Sequence, residues 1–284
     1  MCRRKKQILS RSKVFRDRGK LTKLIELARS KKYSAPRLAN IFNCNRKTIH
    51  KTLNANGLFL PNLGRFKSRT YCDTKFFVNL SPTSAYWVGF IASDGCLFYR
   101  DKCLFINLNK QDRDHLYKFA KAVKTNAKIG YVKSNNSVHI NIYSKEVFNS
   151  LLNLGITPNK SLKINSVNIP YHLMPHFLRG VFDGDGYIGG KKVTHIQFEI
   201  SGNRPFLQQI QNILVNECGI NQVKIYPLYP LGKNKGYKLQ YTGSQIFRIL
   251  DFLYKNSSNR TRLERKYQKM LELKKFKLNN EGRN

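Results

Sequence analysis

The sequence predicts a mixed α+β protein in which a small all-helical module precedes two pseudo-symmetric repeats with the element order αββαββα. The first observation is a nine-residue pattern that occurs twice, 91 positions apart. The second is that helical periodicity and paired segments of alternating hydrophobicity follow each copy in the same order. The third is that the first quarter of the chain has helical periodicity only. A recurring order of this kind indicates an internal duplication.

The composition indicates a folded and strongly basic protein. The chain has 284 residues, of which 41% are hydrophobic, so it can bury a sizeable core. Lys and Arg number 52 against 16 Asp and Glu, a net charge of +36. Such self-repulsion favours a polyanionic partner, and nucleic acid is the leading candidate. A membrane protein is disfavoured because no apolar run approaches the roughly 18 residues that a span needs.

The six cysteines form no C-x-x-C pair or regular framework, which predicts free thiols in a reducing compartment and no zinc site. The expected location is the cytoplasm or nucleoid of a bacterium or a phage-infected cell. An organelle is the alternative, because the first 20 residues are basic and nearly free of acids, as in some presequences. An arm that contacts DNA explains the same residues equally well.

Residues 1–75 contain 21 Lys or Arg against 3 acids, so a net +18, half of the total charge, lies in this quarter. Within residues 1–60 the periodicity predicts three helices: residues 21–30, a second that Ser34 caps, and a third that Gly57 closes. The arrangement resembles a helix-turn-helix. Its expected core residues are Leu38, Ala39, Ile41, Ile49 and Leu53. The side chains expected to face DNA are Asn45, Arg46, Lys47, His50 and Lys51. A small helical bundle with a solvated basic face is the alternative.

Residues 61–83 interleave Pro and Gly with basic and aromatic residues and show no sustained period. This pattern predicts a basic linker that follows a nucleic-acid backbone. The first repeat is expected at residues 84–168. The second is expected at residues 169–284, where it ends in a C-terminal helix.

The repeated pattern is WVGFIASDG at residues 87–95 and LRGVFDGDG at residues 178–186. Each copy is predicted to end a helix, the first of which begins with Ser81 as N-cap. Gly89 and Gly180 occupy the same place in the two helices. Because glycine costs about 1 kcal/mol in a helix interior, we expect both to allow close packing of one helix on the other.

This packing would bring Asp94 and Asp185 together at the carboxyl ends of two helices. Both the helix dipoles and mutual repulsion oppose two ionised carboxylates there. A divalent cation such as Mg²⁺ resolves the conflict, since carboxylates, carbonyls and water are its preferred ligands and it supports phosphate-ester hydrolysis. The alternative is a pair of turns with solvated acids, in which Gly95 and Gly186 merely end the helices.

The strands that follow the two motifs predict one buried and one polar face on each sheet. Val138, Ile140 and Ile142 alternate with polar residues, and Ile196, Phe198 and Ile200 do the same. In a protein this basic, a polar sheet face fits base reading in the major groove, although any sheet exposed to water shows the same alternation. The candidate base-reading residues are His139, Asn141, Tyr143, His195, Gln197, Glu199, Lys224, Lys238 and Gln240.

From about residue 84 to residue 275, the two motifs and the element order resemble the single-chain, double-motif LAGLIDADG homing endonucleases. The resemblance implies a monomer with pseudo-twofold symmetry, whose two sheets form a saddle over double-stranded DNA. It also implies a Mg²⁺-dependent double-strand break, with Mn²⁺ or Ca²⁺ as substitute ions, at a long and tolerant target. The break would leave short 3′ overhangs.

By match of motif position, the resemblance makes Asp94 and Asp185 the metal-binding acids. Further ligands and catalytic groups that it implies are the carbonyls of Ser93 and Gly184, the lysines Lys160 and Lys266, and Asn109 or Ser201 as a residue that positions water. The first motif departs from the family pattern, because Trp87, Ala92 and Ser93 replace commoner residues.

Two alternatives keep the same fold: an intron maturase, which binds intron RNA, and a DNA- or RNA-binding regulator of the sporulation-factor type that does not cut. Both aspartates are present, which favours the enzyme. A basic structural protein of a ribonucleoprotein explains the charge but not the repeat. An intein is disfavoured, because no splicing nucleophile and terminal His-Asn pair frame the chain.

Overall fold

A computed structural model of the chain describes residues 13–30, 33–58, 60, 70–158, 164, 166–190, 196–228 and 236–281. The chain forms two compact units, Met1–Ser68 and Arg69–Asn284. Among the described residues, no helix has the length and apolar character needed to cross a membrane.

The first unit contains helices α1 (Arg18–Arg29), α2 (Ala35–Ile41) and α3 (Arg46–Ala55). Four of the expected core residues are buried: Leu38, Ala39, Ile49 and Leu53. The expectation for Ile41 was wrong, because its side chain is 46% exposed. The next residue, Phe42, packs against the buried Phe15 with ring centroids 5.3 Å apart, and covers the core instead.

Two polar residues of the first unit occupy the N-cap positions of α2 and α3. Ser34 is the N-cap residue of α2, but its side chain makes no capping hydrogen bond. Asn45, expected to face DNA, is the N-cap of α3, and its Oδ1 accepts a hydrogen bond from the backbone N–H of Lys47. One acceptor of Asn45 is therefore used to start the helix. The helix-turn-helix function of this unit stays a prediction.

The second unit contains the two predicted repeats of elements. The first repeat consists of α4 (Pro82–Asp94), β1 (Gly95–Phe98), β2 (Cys103–Asn109), α5 (Arg113–Ala122), β3 (Gly130–Val132), β4 (Ser137–Tyr143) and α6 (Lys145–Asn153). The second consists of α7 (Met174–Asp185), β5 (Gly186–Gly189), β6 (Gln197–Gly202), α8 (Arg204–Cys218), β7 (Ile225–Pro227), β8 (Tyr237–Thr242) and α9 (Gln245–Tyr254). A further helix, α10 (Glu264–Glu281), follows.

Each repeat builds one antiparallel four-stranded sheet, with strand orders β1-β2-β4-β3 and β5-β6-β8-β7. The strand register at the start of the two sheets is also equivalent, since Gly95 pairs with Ile106 in the first sheet and Gly186 pairs with Ile200 in the second. The residues predicted to face the core are buried in both sheets: Val138, Ile140, Ile142, Ile196, Phe198 and Ile200. The mixed α+β fold class predicted from the sequence is confirmed.

The segment before α4 differs from its predicted role as a linker. Its described part begins at Thr70, and Cys72 and Phe77 are buried in the core of the second unit. The backbone of Tyr71 is also tied to Asn126, whose Oδ1 accepts from the Tyr71 N–H at 2.9 Å. Buried aromatic and thiol side chains hold residues 70–83 against the fold, because exposing them to water would cost free energy.

Candidate active site

Helices α4 and α7 contact each other through the two glycines of the repeated motif. A Cβ atom added to Gly89 would lie 2.0 Å from the carbonyl oxygen of Phe177. A Cβ atom added to Gly180 would lie 2.0 Å from the carbonyl oxygen of Tyr86. Both distances are far shorter than a van der Waals contact, and the atoms that would clash belong to the backbone, which cannot rotate away. Only glycine therefore permits this approach. The predicted reason for the paired glycines is confirmed.

The start of each motif helix is also set by its sequence. Ser81 caps α4 by accepting from the Ser84 N–H, and the Ser84 hydroxyl accepts from the Ser81 N–H in return. This capping box confirms Ser81 as the N-cap. Helix α7 carries Pro175 in its first turn, where a missing N–H does no harm.

The two aspartates terminate the two packed helices. Asp94 is the last residue of α4 and Asp185 the last of α7, and each is followed by a glycine that begins a strand. Asp94 Oδ2 lies 3.3 Å from the position of a Cβ atom added to Gly184, so it sits beside the second motif. The Ser93 hydroxyl donates to the carbonyl of Val181 at 3.0 Å and fastens the two helix ends together.

Lys266, the predicted second catalytic lysine, is buried beneath the end of α7. Its Nζ donates to the carbonyls of Phe182 at 2.6 Å, Gly186 at 2.5 Å and Gly184 at 3.2 Å. Burial lowers the pKa of Lys266 to about 8, although Asp183, Asp94 and Asp185 oppose that shift. In this arrangement the ammonium satisfies the last carbonyls of α7 and orients Gly184, a predicted metal ligand.

Sequence reasoning missed Asp183, which is fully buried behind the site. Its carboxylate accepts hydrogen bonds from Tyr86 Oη at 2.8 Å, Tyr254 Oη at 2.6 Å and the Leu263 N–H at 2.7 Å. Burial raises the pKa of Asp183, and the hydrogen bonds and nearby Lys266 counteract the rise. The signal was present in the sequence, since the second motif has two acids where the first has only one.

Arg179, also missed, is completely buried in the second motif. Its Nε donates to the Thr261 carbonyl at 2.7 Å, and one terminal nitrogen donates to the Leu253 carbonyl at 2.7 Å. The guanidinium thereby ties α7 to the end of α9 and to the segment between α9 and α10. Arg179 fixes the second motif helix to its own repeat, and Asp183 links that helix both to its own repeat and, through Tyr86, to α4. A buried charge needs several such partners.

We predict that Asp183→Asn lowers the free energy of unfolding by about 2 kcal/mol, because the amide replaces one charged acceptor oxygen in a buried network. Denaturant titration of the full chain measures the change. Asp251→Asn is the matched control, since Asp251 is exposed and forms an ion pair with Lys274 on the surface. It should change stability by less than about 0.5 kcal/mol. Equal losses for the two variants would contradict a structural role for Asp183.

The oxygen atoms at this site suit a hard divalent cation. Within the part of the chain that is described, no group of three or more His, Cys, Asp and Glu side chains could hold a metal ion. The residues that would hold a cation here are Asp94 and Asp185 through their carboxylates and Ser93 and Gly184 through their carbonyls, with water and phosphate as further ligands. Mg²⁺ is commonly bound in this way, through one or two carboxylates plus substrate phosphates.

The remaining predicted catalytic residues differ in their position relative to the two aspartates. Ser201 lines a cavity of about 220 Å³ together with Asp185 and Asn203, so it lies on the same side of the site. Asn109 Oδ1 accepts from the Gln111 N–H at 3.1 Å and caps a short 3-10 helix, which reduces its freedom to position water. Lys160 lies outside the described residues.

The predicted base-reading residues that lie on described strands are on the sheet faces opposite the core. His139, Asn141 and Tyr143 are half-buried on β4, and Gln197 is exposed on β6. Glu199 of β6 forms an ion pair with Lys238 of β8 at 3.3 Å. Gln240 is half-buried on β8, Lys224 is exposed next to β7, and His195 lies outside the described residues. In the first unit, the side chains that are exposed on α3 as predicted are Arg46, Lys47, His50 and Lys51.

Residues 173–252, which include α7 and the whole second sheet, match the family model of a LAGLIDADG-like domain. This segment, residues 173–252, is similar to a LAGLIDADG-like domain and lies within a mixed α+β fold. Among curated proteins, no sequence matches the chain.

Solved structures with a similar backbone arrangement include full-length DUF199/WhiA from Thermatoga maritima, with 18% identity and a TM-score of 0.46. That similarity covers 72% of this chain and 66% of WhiA, just under two thirds of its length. The LAGLIDADG meganuclease I-CpaMI bound to uncleaved DNA has 14% identity and a TM-score of 0.46 over 72% of this chain and 96% of that one. The I-LtrWI LAGLIDADG homing endonuclease bound to target DNA has 13% identity and a TM-score of 0.43, covering 69% and 89%.

Proposed function

We propose that this protein is a site-specific endonuclease that makes a Mg²⁺-dependent double-strand break in DNA. The observation that carries the proposal is the placement of Asp94 and Asp185 at the ends of two helices that glycines hold in direct contact. Two acids at negative helix ends repel each other, and a bound cation would offset this repulsion. The net charge of +36 supplies the attraction for a polyanionic substrate.

In this proposal the chain's own residues position the reacting groups. Asp94 and Asp185 hold the cation, which when bound would stabilise charge on a scissile phosphate and activate water. Lys266 fixes the orientation of the Gly184 carbonyl through its hydrogen bond at 3.2 Å. Ser201 lines the cavity beside Asp185 and would hold a water molecule there. The exposed sheet faces extend from this site, since β1 and β5 begin directly after the two aspartates.

A DNA- or RNA-binding protein that does not cut is the second candidate function, with an intron maturase as one form of it. The hydrogen bonds of Lys266 favour this candidate, because its ammonium donates to three backbone carbonyls and is not exposed to a phosphate. Such a protein would use the same faces and the same basic charge. Only an assay of cleavage separates the two functions.

The decisive experiment incubates the full chain with a plasmid library that carries randomised inserts, followed by sequencing of newly formed ends. We expect ends at a common sequence in Mg²⁺ and none in EDTA, because hydrolysis needs the cation. Ends that form equally in EDTA would contradict a metal-dependent mechanism. A common sequence that is bound in Mg²⁺ but never cut would support the regulator instead.

We also propose that the first unit is a DNA-binding module that adds affinity. Deleting residues 1–68 should weaken binding and shorten the protected footprint at one end, but leave cleavage intact, because both aspartates and both sheets remain. Each neutralised phosphate contributes about 0.9 to the slope of log affinity against log salt, so the truncated protein should show a shallower slope. Footprinting and salt titration measure both effects. An unchanged footprint with an unchanged slope would exclude this role.

A further inference from the structure

The exposed faces of the two sheets differ in charge, and this difference bears on the DNA that they fit. We propose that the first face binds an A·T-rich half-site, whereas the second face binds a half-site that includes G·C pairs. The first face is the exposed side of β1, β2 and β4, and the second face is the exposed side of β5, β6, β7 and β8. This inference rests on the proposed function, because it assumes that both faces contact duplex DNA.

The first face has no Lys, Arg, Asp or Glu on its strands, all of which are fully described. Its members alternate with buried core residues along each strand, at positions that strand pairing places side by side. The residues of the first face are Cys96, Phe98, Phe105, Asn107, Asn109, His139, Asn141 and Tyr143, while Cys103 on the same side is buried. An uncharged surface of this kind is unexpected in a chain with 52 Lys and Arg.

Three rings cross the first face in a diagonal row. The ring centroids of Phe98 and Phe105 lie 5.9 Å apart, and those of Phe105 and His139 lie 5.7 Å apart. Asn107 pairs with His139, and Asn141 pairs with Phe105, so each amide adjoins a ring of the row. Asn reads adenine through N6 and N7, and apolar side chains contact the methyl group of thymine. The combination therefore matches A·T pairs.

The second face carries charged side chains, which the first face lacks. Glu199 and Lys238 lie 3.3 Å apart on adjacent strands, with Gln197 and Gln240 on the same face. Lys donates to the O6 and N7 atoms of guanine, and Glu accepts from the N4 amino group of cytosine. Since one G·C pair presents both an acceptor edge and a donor edge, the Glu199–Lys238 pair matches it.

The absence of charge on the first face does not remove its affinity for phosphate. Strands β2, β3 and β4 are each followed within two residues by an exposed lysine, namely Lys110, Lys133 and Lys145. These lysines lie at the margins of the sheet, where a DNA backbone would pass, and the uncharged centre is left for base edges. Backbone contacts set position, while contacts with bases set sequence preference.

The test selects bound duplexes from a fully randomised library, using the full chain in EDTA with heparin as competitor, so that binding is measured without cleavage. We expect one motif with an A·T-rich half and a half that contains G·C pairs. Asn107→Lys should shift one position of the A·T-rich half toward G by about tenfold. Lys238→Asn should remove a preference for G in the other half. Lys133→Asn is the control, since it should weaken binding without changing any base preference.

Two outcomes would overturn the inference while the proposed function stands. One is a motif whose halves have equal G·C content, and the other is an Asn107→Lys variant with the wild-type motif. A library that yields no motif would overturn the inference together with sequence-specific binding. Cleavage at a common sequence in Mg²⁺, measured separately, tells whether the nuclease function survives that result.

Discussion

Replacing either aspartate by asparagine, Asp94→Asn or Asp185→Asn, is expected to reduce double-strand cleavage by about a thousandfold or more. Each amide removes one negative ligand, so the cation that stabilises charge on the phosphate is bound weakly or not at all. Affinity for the DNA site should stay the same or increase, because a carboxylate repels phosphate. Single-turnover cleavage and fluorescence anisotropy on the same duplex measure the two quantities.

Asp251→Asn is the control for this experiment, because it removes the same charge from an exposed position on α9. It should cleave at the wild-type rate. If both motif variants lost binding along with cleavage, the aspartates would be holding the helix ends together rather than binding a cation. Unfolding curves of the variants separate these outcomes, since a catalytic loss leaves stability nearly unchanged.

The sequence predicted the second unit well because its signals are local and repeated. Alternating apolar residues such as Val138, Ile140 and Ile142 reveal which sheet face is buried without any knowledge of the partner strand. The motif glycines were informative for another reason. Glycine does not stabilise a helix interior, so two glycines at equivalent interior positions indicate a contact with another part of the protein. The structure shows that contact, with carbonyl oxygens 2.0 Å from either added Cβ.

Other features could not be predicted because they depend on long-range contacts. Lys266 lies 81 residues after Asp185, and its sequence surroundings do not reveal that it reaches the end of α7. Asp183 looks like part of a turn until Tyr254 and Leu263, 71 and 80 residues away, are seen to donate to it. Similarly, no local sequence pattern shows that the side chain of Phe77, in a basic segment, is buried in the core.

The packed glycines lead to the largest expected effect on stability. We predict that Gly180→Ala lowers the free energy of unfolding by at least about 3 kcal/mol. Its Cβ would meet the Tyr86 carbonyl oxygen at 2.0 Å, and the Phe90 backbone nitrogen at 2.7 Å. Because these atoms belong to the backbone of α4, relief requires the two helices to separate, which costs more than moving a side chain. Denaturant unfolding measures the loss.

Gly202→Ala is the matched control, because its added Cβ would meet the Leu207 side chain at 3.4 Å, an ordinary contact. It should change stability by less than about 1 kcal/mol. Separation of the helices in Gly180→Ala should also move Asp94 away from Gly184, so cleavage should fall even at temperatures where the variant stays folded. A displacement of about 1 Å is enough to cost on the order of a hundredfold in rate. A Gly180→Ala protein as stable and as active as the Gly202→Ala protein would show that the two motif helices do not need this close approach.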